Sequence, residues 1–255
     1  MIPKLLFLCL KLKSPINQFI RKLFFGAHNA ASAANTGIKF EQFLLDKNSN
    51  SQDINKHLET KNIVNIIVLG RIGWRLAKQL SKLTVPLHST DGSSSTKKKY
   101  SIVSGALPIS PNGLSGVSLI TDPSHLFRYL DQVAPQVKNI HVAYSDNNQW
   151  LIELAQTAAK SQGLKFTPTK VQTTKEAIEF YQTLLTSSVS EEDALWLPLD
   201  KITSHDKITL PMILEKAWAK EVVVFSSKPS HAKRGVLFST YPDNFSLGKH
   251  LFSMS

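Results

Sequence analysis

The chain has 255 residues, of which 42% are hydrophobic and 19% charged, enough apolar material for one large core or two smaller ones and unlike a disordered chain. Its single cysteine, Cys9, excludes an intramolecular disulfide and zinc sites of the multi-cysteine kind. The formal charge of +11 would attract polyanions, but the basic residues are scattered and the run Lys97-Lys98-Lys99 lacks interleaved aromatics; a solvated basic surface is expected, with no nucleic-acid partner.

The first segment has two readings. Lys4 followed by LLFLCL, with the small-residue run AHNAASAA further on, has the parts of a secretory signal. Lys11, Lys13, Arg21 and Lys22 interrupt it, however, while Ile16, Phe19, Ile20, Leu23, Ala27, Ala30 and Ala34 follow helical spacing. A buried strand over 4–10 and a helix over 15–34, opened by Ser14-Pro15, are therefore expected. Short apolar runs then predict strands at 38–45, 64–69, 84–88, 101–105, 115–119, 138–144, 165–171, 194–198, 221–226 and 235–239. Amphipathic stretches predict helices at 72–82, 123–134, 147–162, 174–186 and 207–220. This alternation argues for parallel sheets built from βαβ units.

Local signals support several helix ends. Asp122 before Pro123 has the form of an N-cap with proline at the first helical position, Gly163 that of a helix stop, and Thr173-Thr174-Lys175-Glu176 that of a capping box. The alternation breaks between Leu87 and Leu119, a loop-rich stretch with Pro108 and Pro111, which predicts two α/β lobes, 1–110 and 111–255. No apolar run approaches the length of a membrane span.

Val68-Leu69-Gly70-Arg71-Ile72-Gly73 follows a strand and opens a helix, and Asp91 lies about twenty residues on, where a dinucleotide fold carries its ribose-binding acid. The first glycine of that fingerprint is replaced by Val68. An NAD(P)-dependent oxidoreductase resting on Gly70-Arg71-Ile72-Gly73 stays open as an alternative. Otherwise the eight histidines lack metal-ligand spacing, and neither a GxSxG elbow nor a phosphate-binding GxxxxGK[ST] loop is present. No catalytic residue, metal or cofactor is called for.

The last sixty residues are the most informative. Two apolar strands there end in small polar loops, which sets Asp200, Ser226, Ser227 and Tyr241 at the carboxyl edge of one sheet, the edge where ligands bind in open α/β folds. Pro198-Leu199-Asp200, Phe225-Ser226-Ser227, Lys233-Arg234-Gly235 and Leu247-Gly248-Lys249, preceded by the turn Asn112-Gly113-Leu114-Ser115-Gly116-Val117, together resemble the substrate-binding proteins of ABC transporters with a periplasmic-binding-protein type I fold. The resemblance implies two Rossmann-like lobes with parallel sheets flanked by helices, closing on a small solute such as an amino acid. It implies ligand contacts from Ser14 and Arg71 in one lobe and from Tyr144, Ser145, Asp200 and Ser227 in the other, with Tyr241 before the last helix. It further implies an ABC permease partner and a periplasmic or cell-envelope location; without a convincing signal segment the cytoplasm is the alternative. Lys201, Lys228 and Pro229 depart from the family pattern. The chain stops at Ser255 inside its last helix, so a C-terminally shortened fold lacking the return to the first lobe is expected. A ligand sensor without transport is the further alternative.

Overall fold

The computed structural model describes residues 4–10, 16–88, 94–107 and 113–255. In chain order the elements are β1 (Lys4–Leu10), α1 (Ile16–Ala33), β2 (Lys39–Leu45), α2 (Ser51–Lys61), β3 (Asn65–Leu69), α3 (Gly70–Leu80), β4 (Thr84–His88), β5 (Ser94–Lys98), β6 (Ser101–Leu107) and β7 (Ser115–Ser118). There follow α4 (Pro123–Val133), β8 (Asn139–Tyr144), a 3₁₀ turn (Asp146–Asn148), α5 (Gln149–Ser161), β9 (Lys165–Lys170) and α6 (Thr174–Thr186). The last are β10 (Asp193–Leu197), α7 (Thr209–Ala219), β11 (Val223–Ser226), α8 (Pro229–Ala232) and α9 (Asn244–Met254). Among the described residues no helix is long and apolar enough to cross a membrane.

The chain forms two compact units, 1–119 with 242–255, and 120–241. In the first, a parallel sheet runs in the order β2-β1-β3-β6-β7. Strand alternation sends Leu6, Leu8, Ile66 and Val68 to a core under α2 and α3, and Leu5, Phe7, Cys9, Ile67 and Leu69 to a core with α1 and α9. In the second, a parallel sheet runs β11-β10-β8-β9. Ile140, Val142, Ala194, Trp196 and Phe225 face α4 and α5, and Ala143, Leu195, Leu197 and Val224 face α6 and α7. Each unit is thus a helix–sheet–helix layer structure, the expected class of two α/β lobes with parallel sheets.

The helix-end signals act as expected. Asp122 accepts the Ser124 N–H at 2.7 Å. Thr173 accepts the Glu176 N–H at 3.2 Å while Glu176 reaches back to the Gln172 N–H at 2.9 Å.

Several expectations need correction. The division at 110/111 moves to 119/120, because β7 pairs with β6. The final helix belongs to the first unit: α9 lies along α1, burying Leu247 and Leu251 in the core that holds Leu23 and Ala27. It is itself a return to the first unit, so the expectation that this return is lost does not hold. The stretch 235–239 is one bridge, Ser226 to Ser239, rather than a strand, and Phe238 turns inward to stack on Phe225 at 5.3 Å. Lys97 and Lys98 stand in β5 of an antiparallel hairpin with β4, not in a loop. Helix α2 was not signalled by apolar spacing, since it buries Ile54 and Leu58 alone.

Candidate functional site

Because the sheet of the second unit is parallel, β8, β10 and β11 all end at one edge, at Tyr144, Leu197 and Ser226. Asp200, in the loop after β10, organises that edge. Its Oδ2 accepts the Ser145 N–H at 2.9 Å, the Ser145 hydroxyl at 2.7 Å and the Asn148 amide at 2.9 Å. Its Oδ1 accepts the Ile202 N–H at 2.8 Å and the Thr203 N–H at 3.4 Å. A carboxylate offers about four lone-pair sites, so none remains for a ligand amino group. Burial pushes the Asp200 pKa up, but the hydrogen bonds from Ser145, Ile202 and Asn148 outweigh it and hold the carboxyl below its ordinary value. The structure makes this residue the tie between the β8 and β10 loops rather than the expected ligand acceptor. Ser145 and Asn148, both buried, are its partners.

Tyr144 is buried with the residues that face α4 and α5, which follows from strand alternation after Ile140 and Val142. Its side chain is core, not a cover at the edge. Ser227 is half-buried; its Oγ accepts the indole N–H of Trp196 at 3.0 Å, and the hydroxyl proton has no acceptor among the described residues. Tyr241 is 77% exposed in the segment leading to α9, and Lys201 is exposed beside Asp200.

A second network lies behind this edge. Ser226 Oγ stands 2.9 Å from His231 Nδ1, and His231 Nε2 stands 2.8 Å from Asp206 Oδ1. Lys228 Nζ donates to the same Asp206 oxygen at 2.6 Å, and Arg234 donates to the Asp206 carbonyl at 2.7 Å. The residue types are those of a hydrolytic triad, but the two ring nitrogens are exchanged relative to one, and Ser226 and His231 are both 0% exposed. The arrangement braces the loops. Sequence reasoning missed it because Asp206, Ser226 and His231 carry no diagnostic spacing, and only the parallel pairing of β10 with β11 brings their loops together.

In the first unit, β3 runs directly into α3. Gly70 has φ +73°, a left-handed value that favours glycine. A Cβ on Gly73 would stand 3.3 Å from Val68 Cβ and 3.6 Å from the Leu8 carbonyl, so this glycine lets α3 sit close on the sheet. Backbone and packing thus account for both glycines without a dinucleotide. Arg71, in the first turn of α3, is exposed and makes no hydrogen bond or ion pair among the described residues, and no side chain caps that helix. Ser14 and Asp91 lie outside the described residues. Among the described residues no group of three His, Cys, Asp or Glu side chains is placed to hold a metal.

A family model described as ABC transporter substrate binding protein matches residues 110–254, more than half of the chain. No curated protein matches. Among solved structures, the chain is similar to the ligand-free, open structure of a substrate binding protein with adhesive properties from Clostridium difficile, at 16% identity and a TM-score of 0.67, covering 99% of this chain and 83% of that one. An ABC domain in complex with L-Trp from Streptococcus pneumonia is also 16% identical, with a TM-score of 0.53 and coverage of 100% and 83%. A transcription regulator of Lactococcus lactis matches at 11% identity with a TM-score of 0.53, covering 98% and 89%. At these identities the likeness is one of fold.

Proposed function

The chain belongs to the family of ABC transporter substrate binding proteins, and on that footing we propose that it binds a small carboxylate-bearing solute, an amino acid or a close relative, for delivery to an ABC permease. The observation that carries this reading is the edge of the second unit, where Asp200 ties the loops after β8 and β10 into one surface. The groups left unused near the strand ends are donors: the Ser227 hydroxyl, Lys201, and Arg71 at the uncapped start of α3 in the other unit. A guanidinium and a helix N-terminus suit a carboxylate. In this reading Ser227 and Tyr241 of the second unit meet the ligand, while Asp200, Ser145 and Tyr144 support the loops that present it. Arg71 and Ser14 are assigned to the ligand by family resemblance alone. The permease partner and a cell-envelope location come with the family reading. A ligand sensor would share the binding step and differ in its partner, a possibility that the fold of the Lactococcus lactis regulator keeps open.

The test is a thermal-shift screen of the full chain against the amino acids and small organic acids. A ligand that binds only the folded state stabilises it by about 2.7 kcal/mol at a hundredfold excess over its Kd. At least one such solute should raise Tm, and Arg71→Ala and Ser227→Ala should each diminish the rise. No shift with any of them would reject the proposal.

A further inference from the structure

The hydrogen bonds around Ser226 can all be made at once only when the His231 ring is charged; a neutral ring makes the single hydroxyl proton choose between two acceptors. The Ser226 oxygen accepts the Lys228 N–H at 3.0 Å. Its one proton faces two acceptors, the Leu197 carbonyl at 3.1 Å and His231 Nδ1 at 2.9 Å. Across the ring, His231 Nε2 faces Asp206 Oδ1 at 2.8 Å, and an ionised carboxylate only accepts. Nε2 therefore carries a proton whether the ring is neutral or charged. A neutral ring leaves Nδ1 bare, and Nδ1 takes the Ser226 proton. A charged ring has an N–H at Nδ1, which donates to Ser226 Oγ and sends the hydroxyl proton to the Leu197 carbonyl.

We propose that His231 is a proton-operated positioning residue, whose charge state decides whether the Ser226 hydroxyl at the end of β11 donates its proton to the imidazole or to the Leu197 carbonyl at the end of β10. The neutral state leaves Leu197 O with the Ser227 N–H, at 2.9 Å, and the charged state adds the Ser226 hydroxyl to it. The charged groups that face the ring are Asp206 from the loop between β10 and α7, Lys228 just before α8 and Arg234 just after it. Burial lowers the pKa of His231 from its ordinary 6.5; Asp206 opposes this, and Lys228 and Arg234 add to it. The neutral arrangement thus holds at neutral pH, and acidification throws the switch. Ser227 follows directly in the same loop, so ligand affinity becomes pH-dependent through this device; that consequence rests on the ligand-site reading above, whereas the switch itself does not.

The experiment is NMR of the full chain without ligand, following the His231 ring nitrogens and the Leu197 carbonyl carbon from about pH 7.5 to about pH 5, across the range in which histidine titrates. His231 should begin with Nε2 protonated and Nδ1 bare, and should titrate below 6.5, with the Leu197 carbonyl shifting at the same midpoint. In Ser226→Ala His231 should still titrate while the Leu197 carbonyl no longer follows. In His231→Gln the Leu197 carbonyl should be flat over the whole range. Stability supplies an independent readout. The unfolded chain takes up this proton near 6.5 and the folded chain only at lower pH, so stability falls as pH drops through that window, and His231→Gln should flatten the fall. A proton on Nδ1 at neutral pH, or a Leu197 carbonyl that follows the titration in Ser226→Ala, would overturn the proposal. Because no solute is present, its failure stays distinct from failure of the ligand reading.

Discussion

Asp200 shows how a residue can be found in the sequence and its job still be missed. Its place after a strand, in Pro198-Leu199-Asp200, puts it at the carboxyl edge of a sheet, but a sequence does not display the donors that converge on a carboxylate. Those donors come from Ser145 and Asn148, more than fifty positions upstream, and from Ile202 and Thr203 beside it. Asp200→Asn puts an amide N–H where the carboxylate accepted hydrogen bonds and leaves buried donors unpaired, so a loss of about 2–3 kcal/mol is expected in urea unfolding at neutral pH. The folded-state pKa lies below the ordinary 3.8, so this stabilisation is complete above that value and is lost as pH falls through the lowered one. The gap between wild type and variant should therefore close in strongly acid solution. A gap that persisted there would show that packing, not charge, carries the difference. Tyr144 teaches the converse: an aromatic at a strand end reads equally as ligand cover or as core, and the direction its Cβ takes in the alternation decides for the core.

Helices α1 and α9 depend on two glycines for their close approach. A Cβ on Gly248 would lie 1.9 Å from the Leu23 carbonyl, and one on Gly26 would lie 2.1 Å from the Phe245 carbonyl. These contacts are with backbone, which cannot swing aside as a side chain would. The Leu247-Gly248-Lys249 piece of the motif thus has an architectural cause, with Leu247 buried and Gly248 seated on α1. Gly248→Leu should force the helices apart and cost at least about 1–3 kcal/mol, read as a lower urea midpoint with amide exchange accelerated in α1 and α9. Unchanged exchange there would refute the close-packing account. Elements with strong apolar periodicity or caps were legible from sequence, among them β8, α4, α5 and α6. Helix α2 was not, because it buries little, although Asn50, which accepts the Asp53 N–H at 2.9 Å, is an N-cap signal that would have found it.

The molecule is assembled from one continuous unit and one discontinuous unit, with consequences for how each comes apart. Residues 120–241 enclose two cores of their own, whereas the first unit needs 242–255 to complete the core under α1. Removing 242–255 re-exposes the face of α1 that holds Leu23 and Ala27 and forfeits the burial of Leu247 and Leu251. At roughly 1.5–3 kcal/mol for each buried leucine, the loss approaches the whole stability of a domain. Hydrogen exchange of the truncated chain should show β1 and β3 amides unprotected and those of β8 and β10 unchanged; equal loss in both units would contradict the two-unit division. The amino-acid sequence by itself determined the class of this protein: alternating apolar runs and amphipathic stretches specify parallel α/β lobes, because each strand must bury both its faces. Its C-terminal motifs also pointed to the family. Only the tertiary structure decided that α9 belongs with α1, that Asp200 spends its lone pairs on its own loops, and that Ser226, His231 and Asp206 form one chain of hydrogen bonds. Periodicity is a local property carried by neighbours in sequence, whereas hydrogen-bond partners and helix crossings are set by distances in space between residues far apart along the chain.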